Sequence, residues 1–186
     1  MTAAPGPGGT RQRLRFDLDP APTQALREGL AALWVDVTNA GGAVGFVPPV
    51  TSEDVEPALR RHLVGMAEGT TRLLVGHAED GRPLATAFLR RNDHRLMRHW
   101  VGLVTVMVHP ALQGGGVGRD LMAAAASAAR RVDPGFTGIR LTCRGGLGLE
   151  RFYTSCGYRE VGRVPGAIKV AEGDHRDDIT FWLPLG

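Results

Sequence analysis

The spacing of hydrophobic residues changes several times along this 186-residue chain, and each change marks a different predicted element. Alternation of hydrophobic and polar side chains over residues 11–18 predicts a first β-strand. Over residues 22–39 the hydrophobic side chains recur every three or four positions, which predicts an amphipathic helix. A second helix is predicted after Thr51, because Thr51 and Asp54 have the spacing of a capping box.

The middle of the chain carries patterns that are typical of strands. Residues 72–78 and 84–90 are rich in hydrophobic side chains, and the dipeptide Asp80-Gly81 between them favours a tight hairpin. Residues 101–108 are almost continuously hydrophobic, which is typical of a strand covered on both faces. Three consecutive strands are therefore predicted here.

The last third of the chain alternates between helical and strand patterns. We predict a helix over 117–132, a strand over 139–143, a short helix over 147–155, and closing strands over 158–164 and 178–183. The order β-α-α-β-β-β-α-β-α-β-β predicts a mixed α/β fold in a single domain over residues 11–186. Residues 1–10 are rich in glycine and proline and are predicted to be a disordered leader.

Composition narrows the class of protein. Hydrophobic residues make up 43% of the chain and charged residues 22%, which is ordinary for a soluble globular domain. No stretch approaches the ~18 consecutive hydrophobic residues of a membrane span, and the amino terminus lacks the hydrophobic core of a secretory signal. Two cysteines, Cys143 and Cys156, are too few for a disulfide framework. We therefore expect a cytoplasmic protein without a membrane partner.

Charge and histidine spacing exclude two further classes of partner. The net charge is only +3, and the positive charges are scattered with few aromatic residues among them, so a nucleic-acid partner is not expected. The one local basic cluster, over residues 90–99, lies in a predicted hairpin connection. The histidines and cysteines show neither the H-E-x-x-H nor the C-x-x-C spacing, so no metal is expected. Small anionic molecules remain candidate partners.

The most informative segment is a glycine-rich turn, residues 113–119, between the strand over 101–108 and the helix over 117–132. The start of a helix carries free N–H groups and partial positive charge, which makes it a site for anions. Glycines allow a bulky anion to approach the backbone closely. Arg119 lies in the first helical turn, where the helix dipole disfavours a cation, and a bound anion would account for it.

Three anion-binding templates compete for this glycine turn. A Walker A loop requires glycine, lysine and then serine or threonine, whereas Gly118 is followed by Arg119 and Asp120. A Rossmann fingerprint requires a third glycine where Arg119 lies. The third template is glutamine or arginine, two residues, glycine, one residue, and glycine or alanine, and Gln113, Gly116 and Gly118 match it. For the turn alone, a glycine-rich connection without a ligand is the alternative.

This third template resembles the acetyl-CoA-binding motif of the GNAT family of N-acetyltransferases, over residues 106–119. Residues 152–158 match a second motif of that family. This motif is Leu or Phe followed by tyrosine, any three residues, glycine and an aromatic residue. Two motifs in the right order are more specific than either alone, and the family core can be laid on residues 11–185. The resemblance implies a mixed, mostly antiparallel sheet that is flanked by helices and has splayed central strands.

The resemblance also implies a role for individual residues. Acetyl-CoA is the expected co-substrate, with its pyrophosphate on the backbone amides of residues 114–119 and its pantetheine arm along the strand. The residues expected to bind it are Val106, Met107, Val108, Gln113, Gly114, Gly115, Gly116, Val117, Gly118 and Arg119. Tyr153 matches the catalytic acid of the family. A phenol with a pKa of ~10 can protonate a departing thiolate with a pKa of ~8.5 without being ionised itself at neutral pH.

The general base is left open by the sequence. The family often has a carboxylate on one of the two central strands, yet neither strand contains one here, and the usual asparagine seven residues before Tyr153 is Gly146. His109, Glu150 and Asp36 are candidates, and a chain of water molecules would serve equally well.

A narrower resemblance concerns the acceptor. Residues 41–46 and the segment over residues 164–166 are similar to the tabtoxin-resistance type of acetyltransferase, which implies a small amine as substrate. We expect residues 40–49, named here the acceptor loop, to bind the amine together with the preceding helix, and Phe46 to contact it. The alternative for Phe46 is that it only covers the core.

The function expected from the sequence is acetyl-CoA-dependent transfer of an acetyl group to a primary amine, by direct attack in a ternary complex. The alternatives are a protein or peptide amine as acceptor, and a non-catalytic module that binds acyl-CoA. The identity of the amine, the length of the acyl chain and the formation of a homodimer are left open.

Overall fold

A seven-stranded sheet organises residues 13–186, the part of the chain that this computed structural model describes. The predicted leader over 1–10 lies outside the described residues. The strands are β1 (Arg15–Leu18), β2 (Thr71–His77), β3 (Pro83–Arg91), β4 (Val101–Val108), β5 (Gly138–Arg144), β6 (Arg159–Ala171) and β7 (Asp174–Pro184). The helices are α1 (Gln24–Asn39), α2 (Ser52–Ala67), α3 (Val117–Val132) and α4 (Leu149–Ser155), with short 3₁₀ turns at Arg95–Met97 and Pro110–Leu112.

The sheet has the order β1-β2-β3-β4-β5-β7-β6. Its neighbouring strands pair antiparallel except for β4 and β5, which are parallel. The predicted mixed, mostly antiparallel α/β fold is therefore confirmed. Among residues 13–186, no helix combines the length and the apolarity needed to cross a membrane.

Two hydrophobic clusters sandwich the sheet. Leu73 and Val75 of β2 pack with α1 and α2 on one face, and Leu74 between them packs with α3 on the other. This alternation is the period of two expected of a strand. Each of these three side chains is at most 1% exposed, and burying a side chain of this size contributes roughly 1.5–3 kcal/mol. The helices are thereby fixed on opposite faces.

Local signals set the start of the first two helices. The hydroxyl of Thr23 accepts a hydrogen bond from the backbone N–H of Leu26 at 3.2 Å, which caps α1. At the start of α2, the backbone N–H of Thr51 donates to Asp54 Oδ2 at 2.7 Å as part of a capping box. The predicted capping box is thus confirmed.

The central strands β4 and β5 separate soon after they meet. They pair only at Val101 with Ile139 and at Gly102 with Arg140, although both strands continue well beyond these residues. The predicted splay is confirmed, and it begins directly after Gly102, near the start of β4. The separation opens the middle of the sheet between its two faces.

A β-bulge at Thr105 divides β4. Thr105 has a φ of +51°, and the pairing with β3 shifts between Thr86, opposite Met107, and Phe88, opposite Val104. The extra residue reverses the alternation, so that Val104 packs on the α1–α2 cluster and Val106 on the α3 cluster.

The bulge and the splay correct one expectation about β4. A continuously hydrophobic run predicts a strand covered on both faces, but only Val101, Leu103 and Met107 are fully buried. The other positions of the strand are half-buried, and those beyond Gly102 lie beside the opening that the separation from β5 leaves.

The last hairpin is longer than predicted. The prediction that the strand begun at residue 158 ends at Val164 is wrong, because β6 continues to Ala171 and pairs Ile168 with Arg176. Pro165 and Gly166 resemble a turn signal, but here they lie where the pairing register shifts within an edge strand.

Candidate active site

A cleft of about 1440 Å³ lies where β4 and β5 diverge. It is lined by the acceptor loop, by β4, by the glycine turn, by the end of β5 and by α4. The volume exceeds the ~300–1,000 Å³ typical of a site for one drug-sized molecule. The cleft therefore has room for a large ligand and a smaller one side by side.

The glycine turn has the backbone geometry that an anion site requires. Gly114 and Gly116 have φ values of +79° and +90°, a region that glycine enters without strain. A Cβ atom at Gly114 would meet nothing within 4 Å, so the space in front of its backbone is open. The side-chain amide of Gln113 donates to the carbonyl oxygen of Val108 at 3.0 Å, which ties the turn to the end of β4.

Seven of the ten predicted cofactor-binding residues meet in the cleft. These are Val106, Val108, Gln113, Gly114, Gly116, Gly118 and Arg119. Met107, Gly115 and Val117 do not line it. The side chains of Met107 and Val117 are only 1% and 3% exposed and belong to the core, so only their backbone atoms could contribute to a ligand site.

Tyr153 lies on the same side of the cleft as the glycine turn. Its side chain is buried at 6% exposure and lies edge-on to Phe152 at 5.1 Å and to Tyr158 at 6.0 Å between ring centroids. Burial raises the pKa of Tyr153 well above its usual value, so its hydroxyl keeps its proton at neutral pH. Burial also raises the pKa of Cys143, which lines the cleft, to about 12 and keeps that thiol uncharged.

The acceptor loop is tied to α1 on the opposite side of the cleft. The indole N–H of Trp34 donates to the carbonyl oxygen of Val44 at 2.9 Å. Phe46 packs edge-on against Trp34 at 5.8 Å, is half-buried and lines the cleft. Phe46 is therefore placed both to contact a ligand in the cleft and to cover the core, which are the two roles predicted for it.

The charged side chains of the cleft are mostly cationic. The basic residues that line it are Arg61, Arg90, Arg119, Arg144 and Lys169. Within residues 13–186, Asp178 is the one carboxylate in this lining. Such a balance favours ligands that carry negative charge.

Two residues in the cleft escaped the sequence analysis. His62 of α2 lines it, and its Nε2 atom lies 3.1 Å from Thr105 Oγ1 in the β4 bulge. His62 occupies the hydrophobic face of α2, three positions after Leu59 and seven after Val55, and a histidine on such a face was a signal to examine. Thr105 carried no comparable signal, because the bulge is not visible in the hydrophobic run.

The sequence matches the model of a known protein family. The family model described as the Acetyltransferase (GNAT) family matches residues 46–158, more than half of the chain. The chain belongs to the GNAT acetyltransferase family.

Solved GNAT structures share the whole fold. The chain superposes with a TM-score of 0.71 on a phosphinothricin acetyltransferase from Sinorhizobium meliloti in complex with AcCoA, at 17% identity over 92% of this chain and 89% of that one. A ribosomal-protein-alanine N-acetyltransferase from Brucella melitensis gives 0.71 at 21% identity, over 92% and 99% of the two chains. A GNAT-family acetyltransferase from Streptococcus pneumoniae gives 0.71 at 16%, over 91% and 99%. At these identities the likeness concerns the fold.

The three candidate bases of this GNAT protein do not line the cleft. His109 Nε2 lies 3.6 Å from Asp36 Oδ2, and His109 Nδ1 accepts a hydrogen bond from the backbone N–H of Ala111, so this pair fastens the end of β4 to α1. Glu150 accepts from the backbone N–H of Gly146 at 3.2 Å. All three side chains therefore have structural partners away from the opening between the strands.

Gly146, which stands where the family usually has asparagine, has a conformational reason to be glycine. Its φ is +84°, and a Cβ atom there would lie 2.7 Å from Arg176 Nη1.

Among residues 13–186, no cluster of three metal-ligating side chains is present.

Proposed function

We propose that this protein transfers the acetyl group of acetyl-CoA to the primary amine of a small molecule, by direct attack in a ternary complex. The observation that carries the proposal is the single cleft between β4 and β5. One side of it carries the glycine turn and Tyr153, and the other side carries the acceptor loop and α2. Two ligands entering from opposite sides would meet between the strands.

The acetyl-CoA side has the donors that a pyrophosphate needs. The α3 helix begins at the glycine turn, and the backbone N–H groups of its first turn have no partner within the helix. Arg119 adds a positive charge beside them. Along β4, the backbone beyond Gly102 forms no ladder with β5, which leaves an edge for the amides of the pantetheine arm.

Acetyl-CoA supplies an acetyl group activated as a thioester. The neutral amine nitrogen of the acceptor attacks the carbonyl carbon, a C–N bond forms, the C–S bond breaks, and the nitrogen loses one proton to water. Tyr153 donates its hydroxyl proton to the departing sulfur, and its raised pKa ensures that the proton is present. The phenolate is reprotonated from solvent before the next turnover.

A small acceptor with an anionic group is favoured by the charges of the cleft. Arg61 and Arg90 lie on the acceptor side, where they both lower the pKa of His62. The fold shared with the phosphinothricin acetyltransferase named above supports a small-molecule acceptor here. A peptide amine is the second candidate, supported by the fold shared with the ribosomal-protein-alanine N-acetyltransferase.

Release of free thiol from acetyl-CoA with a panel of amines tests the proposal. The panel contains amino acids with an added carboxylate or phosphinate, neutral and cationic amines, and peptides with a free amino terminus. We expect the fastest release with the small anionic amines. Faster turnover of the peptides would favour the second candidate, and acetyl-CoA binding without turnover of any amine would favour a non-catalytic module.

A further inference from the structure

His62 and Thr105 form a polar pair on the acceptor side of the cleft, and the mechanism above uses neither. His62 Nε2 and Thr105 Oγ1 are 3.1 Å apart, although the residues come from α2 and β4 and lie 43 positions apart in the chain. Among the described residues, His62 Nδ1 has no hydrogen-bond partner. The ring of His62 is half-buried and lines the cleft, so water in the cleft can reach it.

Thr105 is held in an uncommon backbone conformation at the place where the two ligands would meet. A φ of +51° is rare for a β-branched residue, and such strain concentrates at functional sites. Thr105 directly precedes Val106, whose backbone belongs to the edge expected to carry pantetheine. Its hydroxyl bonds toward α2, which is the acceptor side.

The imidazole of His62 has a fixed orientation. Its ring stacks on Phe88 with a centroid distance of 4.1 Å and an interplanar angle of 10°, and Trp34 lies 5.9 Å away. This packing directs Nε2 toward Thr105 instead of leaving the ring free to rotate. A proton acceptor must be positioned before its pKa matters.

We propose that Thr105 and His62 remove the proton from the ammonium group of the acceptor. The ammonium donates one proton to Thr105 Oγ1, while the hydroxyl proton of Thr105 moves to His62 Nε2. The products are a neutral amine, an unchanged threonine and an imidazolium, which then releases its Nδ1 proton to water. Water moves the remaining ring proton from Nε2 to Nδ1 before the next turnover, which restores the starting tautomer. This step rests on the proposed function and supplies the base that the sequence left open.

The ring of His62 is neutral at pH 7, as a proton acceptor must be. Burial, followed by the charges of Arg90 on β3 and Arg61 on α2, lowers the pKa of His62 to about 4, so the ring is neutral at pH 7. In the free protein the same effects make the ring a weak base. An anionic acceptor beside Arg61 and Arg90 would offset their charges and raise the pKa of His62 while the amine is bound.

Two matched pairs of variants test the relay. His62→Gln keeps an amide that can bond to Thr105 but cannot take a proton, so kcat should fall by about 10²-fold or more, with acetyl-CoA affinity unchanged. His77→Gln, outside the cleft, should leave kcat at the wild-type level. Thr105→Val should lower kcat to a similar extent, and Thr105→Ser, which keeps the hydroxyl, should retain most of it.

Chemical rescue separates proton transfer from packing. Added imidazole should restore turnover to His62→Ala, whereas pyrrole, which has the same shape but no basic nitrogen, should not. Equal rescue by pyrrole would show that His62 only fills space, and wild-type kcat in both His62→Gln and Thr105→Val would overturn the relay. The Thr105 pair leaves the ring in place, so it decides the question even if the His62 variants unfold.

The wild-type protein separates this inference from the function on which it rests. Turnover by the wild type together with unaffected variants overturns the relay alone. A wild type that transfers no acetyl group to any amine overturns the proposed function, and the relay with it.

Discussion

At the scale of single residues, two tyrosines of one motif have opposite relations to the cleft. Tyr153 lines it, whereas Tyr158 lies in the core at 1% exposure and its hydroxyl has no hydrogen-bond partner. Burial raises the pKa of both. Both hydroxyls therefore keep their protons, but only Tyr153 lines the cleft in which the ligands are expected.

The two tyrosines provide a matched test of the acid. Tyr153→Phe should lower kcat by about 10²-fold or more and leave acetyl-CoA affinity unchanged, because only the proton donor is removed. Tyr158→Phe should leave kcat unchanged and raise the free energy of unfolding by about 1 kcal/mol, since it deletes an unpaired buried hydroxyl. Steady-state kinetics and urea unfolding measure both effects. Wild-type turnover in Tyr153→Phe, where chemistry limits the rate, would exclude the acid role.

Phe46 is tested by separating substrate affinity from stability. Phe46→Ala should raise the KM for the amine, leave the KM for acetyl-CoA nearly unchanged, and cost about 1–2 kcal/mol of stability through its lost contact with Trp34. Phe16→Ala is the control, because Phe16 is also half-buried but lies on β1 outside the cleft. A loss of stability in Phe46→Ala with both KM values unchanged would assign Phe46 to the core alone.

At the scale of elements, the start of α3 combines a left-handed glycine with the free N–H groups of a helix. Gly116 is the residue before the helix and has a φ of +90°. Any side chain there is strained, so loss of ligand binding must be distinguished from loss of folding.

A second left-handed glycine makes that distinction. Gly116→Val places a side chain where the pyrophosphate is expected and should weaken acetyl-CoA binding by at least about tenfold, or about 1.4 kcal/mol. Gly81→Val carries similar backbone strain, with a φ of +84° in the β2–β3 hairpin, and should bind acetyl-CoA normally. Calorimetry on the folded variants measures both affinities. Unchanged binding by Gly116→Val would refute the place assigned to the pyrophosphate.

Elements governed by local chemistry could be predicted, and elements governed by distant contacts could not. The start of α2 follows from Thr51 and Asp54, which are three residues apart. The end of β6 could not be read from Pro165 and Gly166, because pairing with β7 carries the strand through them. His62 reaches the cleft only because α2 docks beside a bulge 43 residues later. The glycine turn and Tyr153 were found through their motifs, whereas this contact has none.

At the scale of the whole molecule, stability should depend on pH through His62. Its pKa is about 4 in the folded protein, mainly because of burial, and near the ordinary value of ~6.5 in the unfolded chain. As the pH falls from ~6.5 to about 4, the unfolded chain gains a proton that the folded protein does not, so the folded state loses stability. Above pH ~6.5 the ring of His62 is neutral in both states, so the folded state keeps its full stability.

Comparison with one variant isolates this contribution. Between pH 7 and pH 4.5 the wild type should lose about 1–2 kcal/mol more of its free energy of unfolding than His62→Gln, allowing for screening by solvent. Urea unfolding at the two pH values measures the difference. Equal losses in the two proteins would show that His62 has the same pKa in the folded and unfolded states.

The short ladder between β4 and β5 also bears on how the protein exchanges hydrogen with water. Two residue pairs join the halves of the sheet, whereas β3 is paired along most of its length on both sides. Amides over residues 103–108 should therefore exchange with deuterium faster than those of β3, and saturating acetyl-CoA should slow them. Mass spectrometry of peptides from this segment tests this, and exchange indifferent to acetyl-CoA would contradict it.

A ligand that binds between β4 and β5 also raises the stability of the folded protein. Acetyl-CoA at one hundred times its Kd would stabilise the folded state by about 2.7 kcal/mol, and the melting temperature would rise with its concentration. The lifetime of the folded protein against heat and proteolysis would then follow the supply of its own acetyl donor.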